Sequence, residues 1–208
     1  MALYRDFKAA CQKKIMLSKT QFFRAENNPS ALPQSGAEVL FVGRSNVGKS
    51  SVINALCKQK KLAITSKTPG RTRSINVYSA AMKKWLIDLP GYGFAKIAKA
   101  QKDLWQAMIE DCIVTRKSKK RVYVIIDAYV GPTELDEAMA SWLHEYDISY
   151  KIIVNKVDKV PAEISVEDIK LKTVEMFEID KNDVFPVSAK TKTGFEKLRT
   201  DIVSFLKL

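Results

Sequence analysis

Histidine and cysteine are scarce in this chain, and that scarcity excludes several kinds of chemistry. The 208 residues hold one histidine, His144, and three scattered cysteines, Cys11, Cys57 and Cys112. A single histidine argues against a histidine-based metal centre or general base. An odd number of cysteines without paired spacing indicates neither a disulfide framework nor a zinc site, so we expect a reducing, cytoplasmic environment.

Long apolar runs are missing as well. The longest, such as Val122 to Ile126, are far shorter than the roughly 20 residues that span a bilayer. The first 17 residues carry both signs of charge without a clean apolar segment, which is not typical of a secretory signal. We therefore expect a monomer without a membrane partner.

The balance of charge is unusual. The chain has 35 lysine and arginine residues against 23 aspartate and glutamate residues, a formal net charge of +12. This excess favours a polyanionic partner such as nucleic acid, although solubility alone is the plainer alternative. The ordinary hydrophobic content of 46% predicts one globular domain over residues 35–208, preceded by a basic extension and lead-in over residues 1–34.

One octapeptide fits the pattern G-x-x-x-x-G-K-[ST] of a phosphate-binding P-loop. Its residues are Gly43, Arg44, Ser45, Asn46, Val47, Gly48, Lys49 and Ser50. The glycines let backbone N–H groups converge on phosphate oxygens, Lys49 can reach the β- and γ-phosphates, and the Ser50 hydroxyl can bind Mg²⁺. An apolar strand over 38–42 precedes the loop and a helix over 51–57 follows it, so a helix N-terminus points at the anion.

Strand and helix patterns alternate along the rest of the chain. The predicted strands cover 74–80, 85–88, 122–127, 150–155 and 184–187, and the predicted helices cover 99–116, 133–145, 166–177 and 194–206. The short link at 81–84 indicates a hairpin, and Phe22 and Phe23 suit a short edge strand. Thr133 and Asp136 form a variant capping box. The pattern predicts an α/β fold: a mainly parallel sheet with one antiparallel edge strand and helices on both faces.

Three further motifs follow predicted strands. They are Asp88-Leu89-Pro90-Gly91, Asn155-Lys156-Val157-Asp158 and Val187-Ser188-Ala189-Lys190. Asp88 can hold the hydration shell of Mg²⁺, and Asp158 can accept the two adjacent donors that guanine offers and adenine lacks. Each motif alone also fits a polar turn, but their order and their positions at strand ends together indicate a GTP site.

This set of motifs resembles the translation-factor-related GTPases. The blocks GRSNVGKSS (43–51), TSKTPGRT (65–72) and DLPGYGFA (88–95) are similar to those of the EngB/YsxC family of ribosome-biogenesis GTPases. The resemblance implies a P-loop GTPase domain with a first switch loop at Gly70, Arg71, Thr72, Arg73 and Ser74. It also implies Mg²⁺ ligands at Ser50, Thr72 and Asp88, and catalytic roles for Lys49 and Thr72. The family usually has threonine where this chain has Asn155, the commoner residue in GTPases at large.

Tyr92 stands where Ras-like GTPases have the glutamine that orients the attacking water. We therefore expect no side-chain general base, and slow GTP hydrolysis that a partner accelerates. Asn46 could recruit K⁺ to neutralise charge in the transition state, or it could simply stabilise the turn of the loop.

The resemblance implies a GTP-dependent assembly factor for the large ribosomal subunit that is needed for normal cell division and septation. A signalling GTPase acting on protein effectors and a metabolic kinase are the alternatives. We further expect that basic residues near the two switch loops form one RNA-binding surface when GTP orders those loops, and that a third basic cluster at 116–121 adds to RNA binding. These residues are Lys67, Arg71, Arg73, Lys96, Lys99, Lys102, Arg116, Lys117, Lys119, Lys120 and Arg121.

Overall fold

One seven-stranded sheet forms the centre of the molecule. The computed structural model describes residues 17–65, 74–93 and 99–208, and its strands lie in the order β1-β3-β4-β2-β5-β6-β7. The strands are β1 (Gln21–Glu26), β2 (Ala37–Gly43), β3 (Ile75–Ala81), β4 (Lys84–Asp88), β5 (Lys119–Asp127), β6 (Tyr150–Asn155) and β7 (Val184–Pro186). The α-helices are α1 (Lys49–Leu56), α2 (Lys99–Glu110), α3 (Glu134–Glu145), α4 (Val166–Phe177) and α5 (Phe195–Leu206).

The directions of the strands confirm the predicted fold class. Strands β4, β2, β5, β6 and β7 are parallel neighbours, whereas β3 pairs antiparallel with both β4 and β1. The antiparallel strand β3 is therefore second from the edge of the sheet, because β1 pairs with its outer side. Phe22 and Phe23 of β1 contact the rings of Tyr78 and Trp85, with centroids 5.9 and 5.6 Å apart.

Helices cover both faces of the sheet, and alternate residues of β2 separate two cores. Val39 and Phe41 pack with α1 and α5, while Leu40 and Val42 pack with residues of α2, α3 and α4. Every residue of β2 is buried. That burial explains why its sequence is a continuous apolar run rather than an alternating one. Within the described ranges, no helix is long and apolar enough to cross a membrane.

The helix boundaries follow the predictions closely, with one change of geometry. The helix expected to reach residue 116 ends as α2 at Glu110 and continues as a π-helical turn over Asp111–Thr115. At the start of α3, the backbone N–H and the hydroxyl of Thr133 both donate to Asp136 at 3.0 Å. The predicted capping pair is therefore present.

The lead-in is joined to the sheet as far as it is described. Residues 1–16 lie outside the described part, a 3₁₀ turn covers Leu17–Lys19, and β1 follows it. Leu32 is buried in the same core as α2 and α3. The division of the chain at residue 34 stays a prediction.

The parallel strands bring their carboxyl ends to one edge of the sheet. The strands β2, β4, β5 and β6 end there at Gly43, Asp88, Asp127 and Asn155. In open parallel sheets, this edge is where ligands bind, between the strand ends and the following helices.

Candidate functional site

The P-loop lies between β2 and α1, and both of its glycines are required by close contacts. A Cβ atom on Gly43 would lie 2.5 Å from the carbonyl oxygen of Ile125. Gly48 has a φ of 97°, and a Cβ atom there would lie 2.6 Å from Nδ2 of Asn155. Side chains at these positions would push the loop off the sheet, so the glycine spacing is a packing requirement here as well as a phosphate-binding pattern.

Lys49 begins α1 and is turned back into the loop. Its ammonium donates to the carbonyl oxygens of Gly43 at 3.1 Å and Arg44 at 3.4 Å. Burial lowers the pKa of Lys49, and the nearby Asp88 carboxylate opposes that shift. A phosphate group beside this ammonium would add to the countercharge that Asp88 supplies.

Asp88 ends β4 directly beside the first turn of α1. Its Oδ2 accepts a hydrogen bond from the Ser50 hydroxyl at 3.0 Å. Its Oδ1 is buried and has no hydrogen-bond partner among the described residues. Burial raises the pKa of Asp88, and Lys49 opposes that rise. A buried carboxylate oxygen without a partner, next to a hydroxyl, suits a hard cation such as Mg²⁺.

The described residues hold no group of three or more histidine, cysteine, aspartate or glutamate side chains that could bind a metal ion. Thr72, the other ligand that the resemblance implies, lies outside the described residues, as do Gly70, Arg71 and Arg73. Ser74 lies immediately before β3.

Gly91 lies against the P-loop. A Cβ atom on Gly91 would be 2.8 Å from Oγ of Ser45 and 2.9 Å from Nζ of Lys49. Oγ of Ser45 is buried and has no hydrogen-bond partner in the described part of the chain. Leu89 and Pro90, which connect Asp88 to Gly91, are buried. The motif at 88–91 therefore approaches the P-loop through its backbone, which only glycine permits at this distance.

The two motifs predicted to bind guanine lie side by side. The N–H of Val157 donates to the carbonyl of Val187 at 3.3 Å, and the Ser188 hydroxyl donates to Oδ1 of the exposed Asp158. Asn155 joins them to the P-loop, because its Nδ2 donates to the carbonyl of Val47 at 2.8 Å.

The backbone N–H groups of Ser188 and Ala189, which could donate to the carbonyl oxygen of guanine, already have acceptors. The N–H of Ser188 donates to the carbonyl of Thr193 at 3.1 Å, and that of Ala189 donates to Oδ1 of Asn155 at 3.1 Å. A guanine carbonyl would therefore have to share these hydrogens or replace their present acceptors.

Lys156 spans the site and contacts a residue that the sequence patterns did not single out. Its ammonium donates to the carbonyl of Asn46 at 2.7 Å and to Oδ2 of Asp127 at 2.6 Å. Asp127 ends the buried strand β5 at the ligand edge, which is the signal that could have identified it. Asn46 has a φ of 68°, a left-handed conformation that asparagine tolerates better than most residues. Asparagine at position 46 thus has a structural reason, and the K⁺ hypothesis stays a prediction.

The side chain of Tyr92 has its hydrogen-bond partner inside the protein. Its hydroxyl donates to Oδ1 of the buried Asp136 at 2.8 Å, and the tyrosine is 5% exposed. Burial, with the charge of Asp136, raises the pKa of Tyr92, so the phenol stays protonated. This geometry gives the hydroxyl a partner inside the protein rather than a water molecule at a phosphate.

The basic cluster at 116–121 lies away from the described nucleotide motifs, and its predicted part in RNA binding stays a prediction. Lys119–Arg121 begin β5, whereas the nucleotide motifs lie at the other end of the sheet, about 26 Å away at 3.3 Å per residue. The direction of β5 therefore places this cluster at the amino-terminal end of the parallel strands.

Several of these cations also have partners inside the protein. Arg116 pairs with the buried Glu38, Arg121 pairs with Asp201, and Lys120 donates to the carbonyls of Ile113 and Arg116. Lys67, Arg71, Arg73 and Lys96 lie outside the described residues, as do the side chains of Lys99 and Lys102.

Comparison with known proteins extends what the geometry indicates. A family model described as "50S ribosome-binding GTPase" matches residues 38–156. A probable GTP-binding protein EngB from Thermotoga petrophila is 39% identical over 84% of this chain and 89% of its own length. The corresponding protein from Fusobacterium nucleatum is 43% identical over 82% of this chain and 84% of its own length.

Solved structures share the fold. The crystal structure of a probable GTP-binding protein EngB has 27% identity and a TM-score of 0.66, covering 82% of this chain and 98% of that one. Era from Aquifex aeolicus, solved with GDP and AlF₄⁻, has 25% identity and a TM-score of 0.61, covering 82% of this chain and 57% of that one. Each of the four nucleotide motifs has described residues at the carboxyl-terminal edge of the sheet, where open parallel sheets bind their ligands.

Proposed function

The chain belongs to the EngB family of ribosome-binding GTPases, and from that premise we propose that it is a GTP-dependent switch in assembly of the large ribosomal subunit. It binds guanine nucleotide and hydrolyses GTP to GDP and phosphate, as that family does. The proposal depends on one observation: Lys49, Asp88 and Asp158 lie at the same edge of the sheet, in a chain whose net charge is +12. An excess of cations of this size favours a polyanionic partner such as ribosomal RNA.

Each motif has a distinct role in the proposed site. Lys49 and the backbone of the P-loop bind the β- and γ-phosphates, and Asp158, oriented by Ser188, accepts the paired donors of guanine. Ser50 and Asp88 hold Mg²⁺, with Thr72 as the third protein ligand; the ion, when bound, neutralises charge on the β- and γ-phosphates. Gly91 places its backbone N–H toward the γ-phosphate, so the site responds to the loss of that group.

The rate of hydrolysis is low in the protein alone. The Tyr92 hydroxyl is bonded to Asp136, so it does not orient the attacking water as a glutamine does in other GTPases. A group supplied by the partner accelerates hydrolysis, which then releases the protein in its GDP form. Through the supply of ribosomes, this cycle supports cell division and septation from the cytoplasm.

The experiment is co-sedimentation of purified protein with large ribosomal subunits in a non-hydrolysable GTP analogue and in GDP, over a series of salt concentrations. We expect binding with the GTP analogue, weaker binding with GDP, and a steep loss with salt because phosphate contacts release counterions. Absence of binding in both nucleotide states at low salt contradicts the proposal and favours a signalling GTPase that acts on protein effectors.

A nucleotide-swapped variant provides the control. Asp158→Asn should prefer xanthine over guanine nucleotides, because the amide supplies a donor where guanine also has one. This variant should therefore sediment with subunits in the presence of a xanthosine triphosphate analogue and not with the GTP analogue. If the variant bound subunits equally with the xanthosine triphosphate analogue and with the GTP analogue, subunit association would not depend on the nucleotide site.

A further inference from the structure

Asp136 is completely buried at the start of α3, and it connects elements that are far apart in the chain. Its Oδ2 accepts from Nε of Arg44 in the P-loop at 2.9 Å, and its Oδ1 accepts from the hydroxyl of Tyr92 at 2.8 Å. The same carboxylate accepts from the N–H and the hydroxyl of Thr133 at the N-terminus of α3. One buried carboxylate thus bonds the P-loop, the segment after Gly91 and a helix start.

The backbone of Tyr92 is fixed to the P-loop at the same time. The N–H of Tyr92 donates to the carbonyl of Gly43 at 3.3 Å, and the carbonyl of Tyr92 accepts from the N–H of Ser45 at 3.0 Å. Residues 44 and 92 therefore pair like two parallel strands. Hydrogen bonds therefore hold both the backbone of Tyr92, to the P-loop, and its side chain, to Asp136.

Gly91 is the residue that this arrangement places. It directly precedes Tyr92, and a Cβ atom on it would lie 2.9 Å from Nζ of Lys49, the group that meets the terminal phosphates. If Tyr92 moves, the Gly91 peptide moves with it relative to Lys49. In the proposed site the N–H of Gly91 meets the γ-phosphate, which GDP lacks, so displacement of this peptide should weaken GTP binding and leave GDP binding unchanged.

We propose that Asp136 is a positioning residue for the GTPase reaction: through Tyr92 and Arg44 it holds the Gly91 peptide where the γ-phosphate binds. The carboxylate touches neither substrate nor metal in this role. Its charge is balanced by Arg44, and its position at the N-terminus of α3 favours a buried anion there. The proposal rests on the GTP hydrolysis of the family and is independent of the ribosomal role.

The chain offers a matched control at the opposite edge of the sheet. There the hydroxyl of Tyr123 donates to Asp201, and Arg121 pairs with the same carboxylate at 3.1 Å. This group has the same three residue types as Tyr92, Asp136 and Arg44, with Lys151 as a further partner of Asp201 at 2.8 Å. It joins β5 to α5, and within the described ranges its hydrogen bonds and ion pairs do not reach the P-loop. Tyr123→Phe therefore removes a comparable hydrogen bond from a comparable place.

The test measures the affinities of fluorescent GTP analogue and GDP for Tyr92→Phe, Asp136→Asn and Tyr123→Phe, with the thermal midpoint of each variant. We expect Tyr92→Phe to lose about tenfold in affinity for the GTP analogue with GDP affinity unchanged, since a hydrogen bond to a charged group is removed. Asp136→Asn should lose at least as much, and the double variant should lose less than the sum of the two. Tyr123→Phe should leave the ratio of the two affinities at its original value.

The ratio of the two affinities distinguishes positioning from simple stabilisation. A lower thermal midpoint in Tyr92→Phe with an unchanged ratio would overturn the proposal, as would an equal change of the ratio in Tyr123→Phe. If Asp136→Asn does not fold, Tyr92→Phe decides alone, because it keeps the ring and the charge of Asp136. Loss of both nucleotides in Tyr92→Phe would also overturn the proposal, whereas failure of the unaltered protein to bind either nucleotide would contradict the assignment of the nucleotide site.

Discussion

The pair of Arg116 and Glu38 allows a quantitative test of how the structure uses its basic residues. The carboxylate of Glu38 has no exposed surface, and Nη2 of Arg116 bonds to it at 2.5 Å. The same guanidinium donates to the carbonyls of Pro29, Leu32 and Pro33 at 3.3, 3.2 and 2.9 Å. Arg116 thus joins the lead-in, β2 and the end of the π-helical turn.

Replacing Arg116 by methionine should be costly because it leaves a charge buried without its partner. Breaking a buried ion pair in this way costs about 3–5 kcal/mol. The hydroxyls of Ser35 and Ser118 still donate to Glu38, at 2.8 and 3.2 Å, so we expect a value near the lower limit, about 3 kcal/mol. For a chain of this size that corresponds to a thermal midpoint about 6–12 °C lower.

Urea unfolding and thermal melting of the original protein and of Arg116→Met measure this loss of stability. Lys117→Met is the control, because Lys117 is exposed beside Arg116 and a change there should cost less than about 0.5 kcal/mol. Adding Glu38→Gln to Arg116→Met should restore part of the stability by removing the buried charge. A loss below about 1 kcal/mol in Arg116→Met, as for exposed ion pairs, would refute the reasoning.

Three further predictions concern the nucleotide site and the buried thiols. Lys49→Ala should abolish binding of GTP while leaving the far-ultraviolet circular dichroism unchanged, and hydrolysis at the original rate would contradict the P-loop assignment. If Asn46 recruits K⁺, hydrolysis should be faster in K⁺ than in Na⁺ at equal ionic strength, and equal rates would reject that role. Burial raises the pKa of Cys57 and of Cys112 from 9.0 to about 12, so mass spectrometry should find neither thiol alkylated at pH 8 until the chain unfolds. Because the folded pKa is the higher one, the stabilisation from these protonated thiols is complete below pH 9 and should be lost as the pH rises toward 12.

The alternation of strands and helices and the four nucleotide motifs could be predicted from the sequence because both depend on short-range patterns. A buried strand such as β2 is a continuous run of apolar residues, and a P-loop is a fixed spacing of glycine, lysine and serine within eight positions. The capping pair of Thr133 and Asp136, three residues apart, could be predicted for the same reason.

Contacts between distant residues were decided only by the tertiary structure. The sequence predicts Asp136 as a helix cap. Only the packing of α3 beside the P-loop makes it the partner of Arg44 and Tyr92. Likewise, Arg116 stands among five cations that look equivalent in the sequence, but the fold buries it against Glu38, 78 positions earlier. Local spacing determines which side chains share a turn or a strand end. Which distant charge a side chain meets depends on how the elements pack, and no pattern along the chain contains that information.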